Sequence, residues 1–219
     1  MRLFYYIVKI YLIILIQIVN VNSHEIEYIN SFQLNGKTNF LHGIEAVNED
    51  GNFNAVIEIP AGSNEKWEIS KNGSTIELEL KNGVPRVIDY LGYPFNYGFV
   101  PKTIVSVDDG GDGDAIDIII LSQKKLKRGM IVPVKVIGML KMKDKGKIDN
   151  KIISVLVGSK FEKSNSIKKL DELYPGILEI INKWFENYKG MKIVTSGFVR
   201  KKDAIEFLTR GQNFYEKNN

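Results

Sequence analysis

A chain of 219 residues, 44% hydrophobic and 26% charged, has the composition of one globular domain with a short appendage. Thirty basic against 26 acidic residues leave a net charge of +4, too weak a bias for the concentrated positive face of a nucleic-acid binder. The absence of cysteine excludes disulfides, thiolate metal sites and a cysteine nucleophile, so packing alone holds the core.

The first 23 residues stand apart. Arg2 and Lys9 lead into an apolar run over residues 10–18, and Val21-Asn22-Ser23 ends in a small residue. A positive start, a short apolar centre and a small residue at the cut describe a secretory signal peptide over residues 1–23. The run is short for a membrane span, which takes roughly 20 apolar residues, although an uncleaved anchor would share the pattern. Cleavage would remove two cations and no acids, lowering the net charge from +4 to +2. The expected product is exported, periplasmic or secreted, with no stable membrane association after cleavage. Lacking cysteine, it carries no lipid on one.

Residues 24–50 are polar and patternless, an N-terminal extension ahead of a domain over residues 51–219. From Phe53 the pattern turns to short apolar alternations broken by Gly, Asn and Asp. Residues 53–60, 66–70 and 75–80 read as strands, the last through the alternation of Ile76, Leu78 and Leu80. Lys81-Asn82-Gly83 is a turn signal. The unbroken apolar run 116–121 suits a central strand, and strands at 131–142 and 152–157 flank a polar turn around Gly146. Helical spacing comes late: Ile177, Ile180, Ile181, Trp184, Phe185 and Tyr188 recur at three and four, between Pro175 and Gly190. Residues 191–199 read as a strand and 203–212 as a second short helix. Many short strands followed by two helices predict a mainly β fold with α, a closed barrel with helices packed outside it.

The chemistry concentrates in Gly111-Asp112-Gly113-Asp114-Ala115-Ile116-Asp117, three carboxylates at the mouth of an apolar strand. Such like charges repel unless protonated or bound to a cation, and hard oxygen donors favour magnesium, manganese or calcium. A solvated acidic loop would show the same composition. An EF-hand fits poorly, because the twelfth position from Asp108 is Ile119 rather than Glu. A hairpin turning at Gly146 would bring Asp144 and Asp149 together, and the two-residue period puts Asp149 and Lys151 on one face. A charged surface hairpin would also fit. Upstream, Glu58 interrupts an apolar strand and must face a polar cavity or a cation. Lys66 and Glu68 share a strand face, Arg86 follows a turn, and Tyr93 and Tyr97 bracket an aromatic loop.

In this order, Ile-Glu-Ile-Pro, Lys-x-Glu, Arg, Tyr-Pro-x-Asn-Tyr-Gly, Asp-Gly-Asp-x-x-Asp, Asp-x(4)-Asp-x-Lys and Tyr-Lys, the chain resembles family I soluble inorganic pyrophosphatases, from about Phe53 to Val199. The resemblance implies a five-stranded OB-type barrel surrounded by helices and metal-dependent hydrolysis of pyrophosphate to two orthophosphates by in-line attack of an activated water. It implies that Asp112, Asp117, Asp144 and Asp149 are principal magnesium ligands and that Asp114 is the general base. Glu58 and Glu68 would face metal-bound water or an additional metal, with three to four Mg2+ per site. Lys66, Arg86, Lys151, Tyr188 and Lys189 would hold phosphate oxygens, with Tyr97 and Tyr93 ordering the wall. A homo-oligomer is implied, a hexamer in prokaryotic relatives.

Two positions depart from the family pattern. Ala115 stands where proline or glutamate is usual, and Lys145 where an acid is common. Lys145 is expected to weaken metal binding or shift metal preference. Two alternatives compete with the pyrophosphatase reading: an exported binding barrel without turnover, and a hydrolase of tripolyphosphate or nucleotide polyphosphates. His24 and His42 precede the domain and are expected to be exposed, which leaves no histidine for a triad or zinc site. The basic run 124–128 has no interleaved aromatics and reads as a solvated turn rather than a nucleic-acid site.

Overall fold

The structure, a computed structural model, describes residues 26–189 and 193–219; the expected signal peptide lies outside the described residues. In chain order come β1 (Ile26–Asn30), β2 (Gln33–Gly36), β3 (Phe53–Ile59), β4 (Trp67–Ile69), β5 (Thr75–Leu78), β6 (Leu80–Lys81) and β7 (Val84–Pro85). There follow β8 (Asn96–Phe99), β9 (Asp117–Leu121), β10 (Ile131–Asp144), β11 (Lys147–Ile148) and β12 (Lys151–Leu156). The chain ends with α1 (Ile167–Leu173), α2 (Ile177–Asn187), β13 (Ile193–Arg200) and α3 (Lys201–Asn218).

Strand pairing closes the expected five-stranded barrel. β3 pairs with β8, β8 with β9, β9 with β12, β12 with β10, and β10 returns to β3. Among these pairs β9–β12 is parallel, aligning Ile118 with Ile152 and so placing Asp117 beside Lys151. The period of two sorts the wall into two faces. Ala55, Ile57, Ile118, Ile120 and Ile152 pack on one, with Ala204 and Leu208 of α3. Val56, Tyr97, Phe99, Ile119, Leu121 and Ile153 pack on the other, with Ile181, Trp184 and Phe185 of α2. Each such aliphatic side chain contributes roughly 1.5–3 kcal/mol by leaving water. At Gly98 the two strands come so close that an added Cβ would sit 1.7 Å from the Val56 carbonyl oxygen, which is why the aromatic loop carries glycine there.

Several expectations need correction. The segment 24–50 is not patternless: β1 and β2 join β5 and β4 in a four-stranded sheet, and Leu34 and Phe40 are fully buried. β1 is almost wholly exposed, Tyr28 and Ile29 included, so no alternation of buried apolar and outward polar residues marked it. α1 was not anticipated; it buries only Leu170, and Ser166 caps it by accepting from the Lys169 N–H at 3.1 Å. The last helix is 18 residues long rather than a short one over 203–212, because Tyr215 continues the buried stripe of Ala204, Leu208 and Gly211 beyond residue 212. Leu80 leaves the predicted alternation and is 47% exposed, and Ile180 leaves the helix stripe at 56%. His42 is not free in solvent: it stacks on Tyr215 and its Nδ1 lies 2.6 Å from the phenol oxygen. Both sequence turns hold, with Asn82-Gly83 and Lys145-Gly146 each in the left-handed region at hairpin tips.

Candidate active site

A cavity of about 480 Å³ opens at one end of the barrel and gathers every predicted site residue except Arg86 and Tyr93. Glu58 comes from β3, Lys66 and Glu68 from the start of β4, and Tyr97 from β8. Asp117 and Lys151 are the first residues of the parallel pair β9 and β12, on the face that carries Ile119 and Ile153. Asp144 ends β10, and Tyr188 and Lys189 follow α2.

Local bonding sets the loops. The carboxylate of Asp112 accepts from the Asp114 N–H at 3.1 Å, and the Asp114 carbonyl accepts from Val105 at 2.8 Å. The Ile148 N–H donates to the Gly110 carbonyl at 2.8 Å, tying the aspartate loop to the hairpin that bears Asp144 and Asp149. Two acidic segments distant in sequence thereby face one space. An aromatic stack presents the third side: Trp184 lies 4.3 Å from Tyr93 and 4.5 Å from Tyr188, ring to ring, and its indole N–H donates to the Leu91 carbonyl at 2.8 Å. Tyr93 is therefore a core residue behind the wall, and does not line the cavity.

Charges alternate around the cavity. Lys151, 2% exposed, bridges the carboxylates of Asp117 and Asp149. Lys66 pairs with Glu68 at 2.7 Å and Lys189 with Asp144 at 2.8 Å. Glu58, 4% exposed, accepts from the Ile69 N–H at 2.6 Å; burial raises its pKa to about 8 against the pull of Lys66. Burial, with Asp112 and Asp117 adding repulsion, raises Asp114 to about 6. Burial alone would raise Asp117 as well, but Lys151 and Lys66 hold it below the usual carboxylate range. Burial, then Asp117 and Asp149, push the Tyr97 phenol far up, so it stays a hydrogen-bond donor. A carboxylate poised near neutrality beside one that stays ionised suits proton transfer at one and cation binding at the other.

Arg86 lies elsewhere. It lines an adjoining groove of about 950 Å³, where its Nη1 donates to both Glu79 oxygens at 2.8 and 2.6 Å. That groove shares Asp144, Lys145, Tyr188 and Lys189 with the cavity. Two charged cavity residues were given no role in the reading of the sequence, Lys71 and Lys147. Lys71 sits on a turn with no period to expose it; Lys147 is two residues before Asp149, a spacing that could have pointed to it.

The donor set fits magnesium. Seven carboxylates and no histidine line the cavity, which is hard oxygen chemistry. The Oδ1 of Asp144 is buried with no hydrogen-bond partner, an acceptor left for a cation. Among the described residues no three acids converge into a preformed cage; lysines balance them instead.

Comparison with known proteins agrees with this geometry. Residues 55–216 match the family model for inorganic pyrophosphatase. The inorganic pyrophosphatase of Aquifex pyrophilus is 34% identical over 166 residues, 74% of this chain and 88% of its own. That of Campylobacter jejuni is 33% identical over 169 residues, 75% and 92% of the two chains. A crystal structure of type I inorganic pyrophosphatase from Toxoplasma gondii, 24% identical, shares the fold with a TM-score of 0.82 over 88% of this chain and 97% of that one. The ordered motifs, the closed barrel and the cavity of acids and lysines meet in one conclusion: the chain belongs to the family I soluble inorganic pyrophosphatases.

Proposed function

We propose that this chain hydrolyses pyrophosphate to two orthophosphates in the cavity between β9, β12 and the end of α2. The observation that carries the reading is the interleaving of seven carboxylates with buried Lys66 and Lys151 and with Lys189. Neither set could be gathered alone, because like charges at this density repel; a phosphate anion and a cation together satisfy both. Lys66, Lys151, Tyr188 and Lys189 hold phosphate oxygens, and Tyr97 donates its phenol proton into the same wall. Asp114 accepts a proton from the attacking water as the water oxygen bonds phosphorus and the bridging P–O bond breaks. The departing orthophosphate leaves toward the lysines, whose charge stabilises it.

Enzymes of this family depend on metal, generally Mg2+. Asp112, Asp117, Asp144 and Asp149, with Glu58 and Glu68 around them, would hold three to four ions, which neutralise the transferred phosphoryl and acidify the attacking water when bound. The groove with Arg86 supports a second reading in which a longer phosphoanhydride extends past Lys189. Competition kinetics separate the two: a higher kcat/KM for tripolyphosphate would overturn the choice of pyrophosphate. The positive start and short apolar run of residues 1–23 support export of the chain as a precursor. A mature protein beginning at His24 is the expected outcome of N-terminal sequencing. A homo-oligomer completes the proposal, checked by sedimentation.

The deciding assay is phosphate release from pyrophosphate with magnesium, with EDTA, and by Asp117→Ala. Release that requires metal and disappears in the variant supports the reading. A folded protein that binds magnesium and releases no phosphate overturns it in favour of a binding barrel.

A further inference from the structure

The cations that line the cavity fall into two groups. Lys66, Lys151 and Lys189 are each held by carboxylates within it, as Arg86 is held by Glu79 next door. Lys71, Lys145 and Lys147 also line the cavity and are exposed, and their ammonium groups have no hydrogen-bonding or ionic partner among the described residues. Without these three, seven acids would face three lysines; with them, the count is seven against six. Cations held by the acids would offset their repulsion of the incoming polyanion, and the unpaired lysines at the edge add the exposed positive charge that the anion meets first.

Backbone conformation at the hairpin tip adds an independent observation. Lys145 and Gly146 have φ of 51° and 86°, the pair of left-handed residues that a tight hairpin needs. The other such tip among the described residues uses Asn82 and Gly83, at 55° and 77°, the pair of residue types that tolerates this conformation best. A lysine held there is strained, and no local hydrogen bond or ion pair offsets the strain. Lys145 also lines both the cavity and the groove of Arg86, so it stands where the two spaces meet.

We propose that Lys71, Lys145 and Lys147 form a capture rim that steers pyrophosphate into the cavity and sets its rate of productive encounter, while leaving the chemical step to the buried groups. The inference rests on the reading of the cavity as a pyrophosphate site. The rim lysines are positioning residues that act on the free anion before it reaches Lys151. The rim makes kcat/KM fall as salt rises, because exposed charges are screened over about 10 Å at 0.1 M salt.

The test is the triple variant Lys71→Gln, Lys145→Asn, Lys147→Gln, in which asparagine keeps the hairpin tip comfortable. Steady-state kinetics are taken at low and high potassium chloride with saturating magnesium, and imidodiphosphate binding is followed by calorimetry. At low salt kcat/KM is expected to fall roughly 10- to 100-fold and imidodiphosphate to bind more weakly, with kcat within about twofold of the parent. The salt dependence of both readouts should flatten. An unchanged kcat/KM and affinity, a loss carried by kcat, or a loss equal at both salt concentrations would overturn the rim. So would a loss that magnesium titration traces to altered metal affinity. If neither protein hydrolyses pyrophosphate, the functional reading fails, and imidodiphosphate binding still decides the rim by itself.

Discussion

β9 and β12 lie side by side in parallel, and each begins with a charge and continues as hydrocarbon. Asp117 and Lys151 open the two strands; Ile118 to Leu121 and Ile152, Ile153 and Val155 follow, all buried. The hydrocarbon end is complete in itself, since every side chain there finds its partners within the protein. The charged end is balanced only by opposing groups, and part of its complement, a phosphate anion and a cation, comes from outside. Substitutions at the first end should therefore change stability, and those at the second should change turnover while leaving the fold intact.

The largest effect expected is on the charged side. Asp114→Asn keeps the shape of the loop and removes the proton acceptor, so turnover should drop by about 10²–10⁴-fold with little loss of stability. A loss of tenfold or less in folded protein saturated with magnesium would take Asp114 out of that role. On the apolar side, Trp184→Ala should cost about 3–5 kcal/mol in urea unfolding, because the indole is 3% exposed and packs on Tyr93, Phe95, Phe185 and Tyr188. It should also loosen Tyr188 and raise KM, a coupling between the two ends that a purely local loss would not produce.

A pH titration sharpens the contrast. Burial raises Glu58 to about 8, and burial with neighbouring charge raises Asp114 and Asp149 to about 6, all above their ordinary values. A carboxyl whose folded value is raised favours the folded state when protonated, so its contribution is full below the unfolded value and is lost as pH rises through the folded one. With EDTA present, the melting temperature should therefore fall between about pH 5 and 8, where exposed carboxylates give no such trend. Magnesium should restore it at the alkaline end. Glu58→Gln should remove the part of the slope nearest pH 8. Asp117 and Glu68, both held low, lose their contribution only in more acidic solution. The smallest effect is far from the cavity: Tyr215→Phe breaks the 2.6 Å contact with His42 and should cost about 0.5–1.5 kcal/mol without altering kcat.

Much of this arrangement was legible from residue order, though unevenly. The spacing of Asp112, Asp114 and Asp117, the hairpin at Gly146 and the stripe of Ile181, Trp184 and Phe185 all state local geometry, because turn and strand periods act over a few residues. Glu58 announced a cavity by being unaffordable in an apolar strand, and the structure puts it on one. Arg86 lies in the adjoining groove rather than the cavity, because Glu79, opposite across a two-residue hairpin, takes its guanidinium. Tyr93 and Tyr97 look alike in the loop, yet Tyr93 is absorbed by Trp184 and Tyr97 faces Lys66 and Lys151. The strands of residues 26–36 escaped because only Leu34 among them is fully buried, so their pairing with β5 left no pattern behind.

The sequence by itself determined the order of acids and bases, the faces they share along each strand, the two hairpin tips and the family to which the motifs point. Those follow from dihedral preference and side-chain period, which are properties of neighbouring residues. Only the tertiary structure decided which cations are already spoken for and which stand free. Asp117 meets Lys151 across a sequence separation of 34 through the parallel register of β9 and β12, and Lys189 meets Asp144 through the packing of α2 on the aromatic stack. Lys71, Lys145 and Lys147 are left unpaired at the edge by the same closure of the barrel. Pairing of distant charges depends on register and chain closure, and no local preference encodes either.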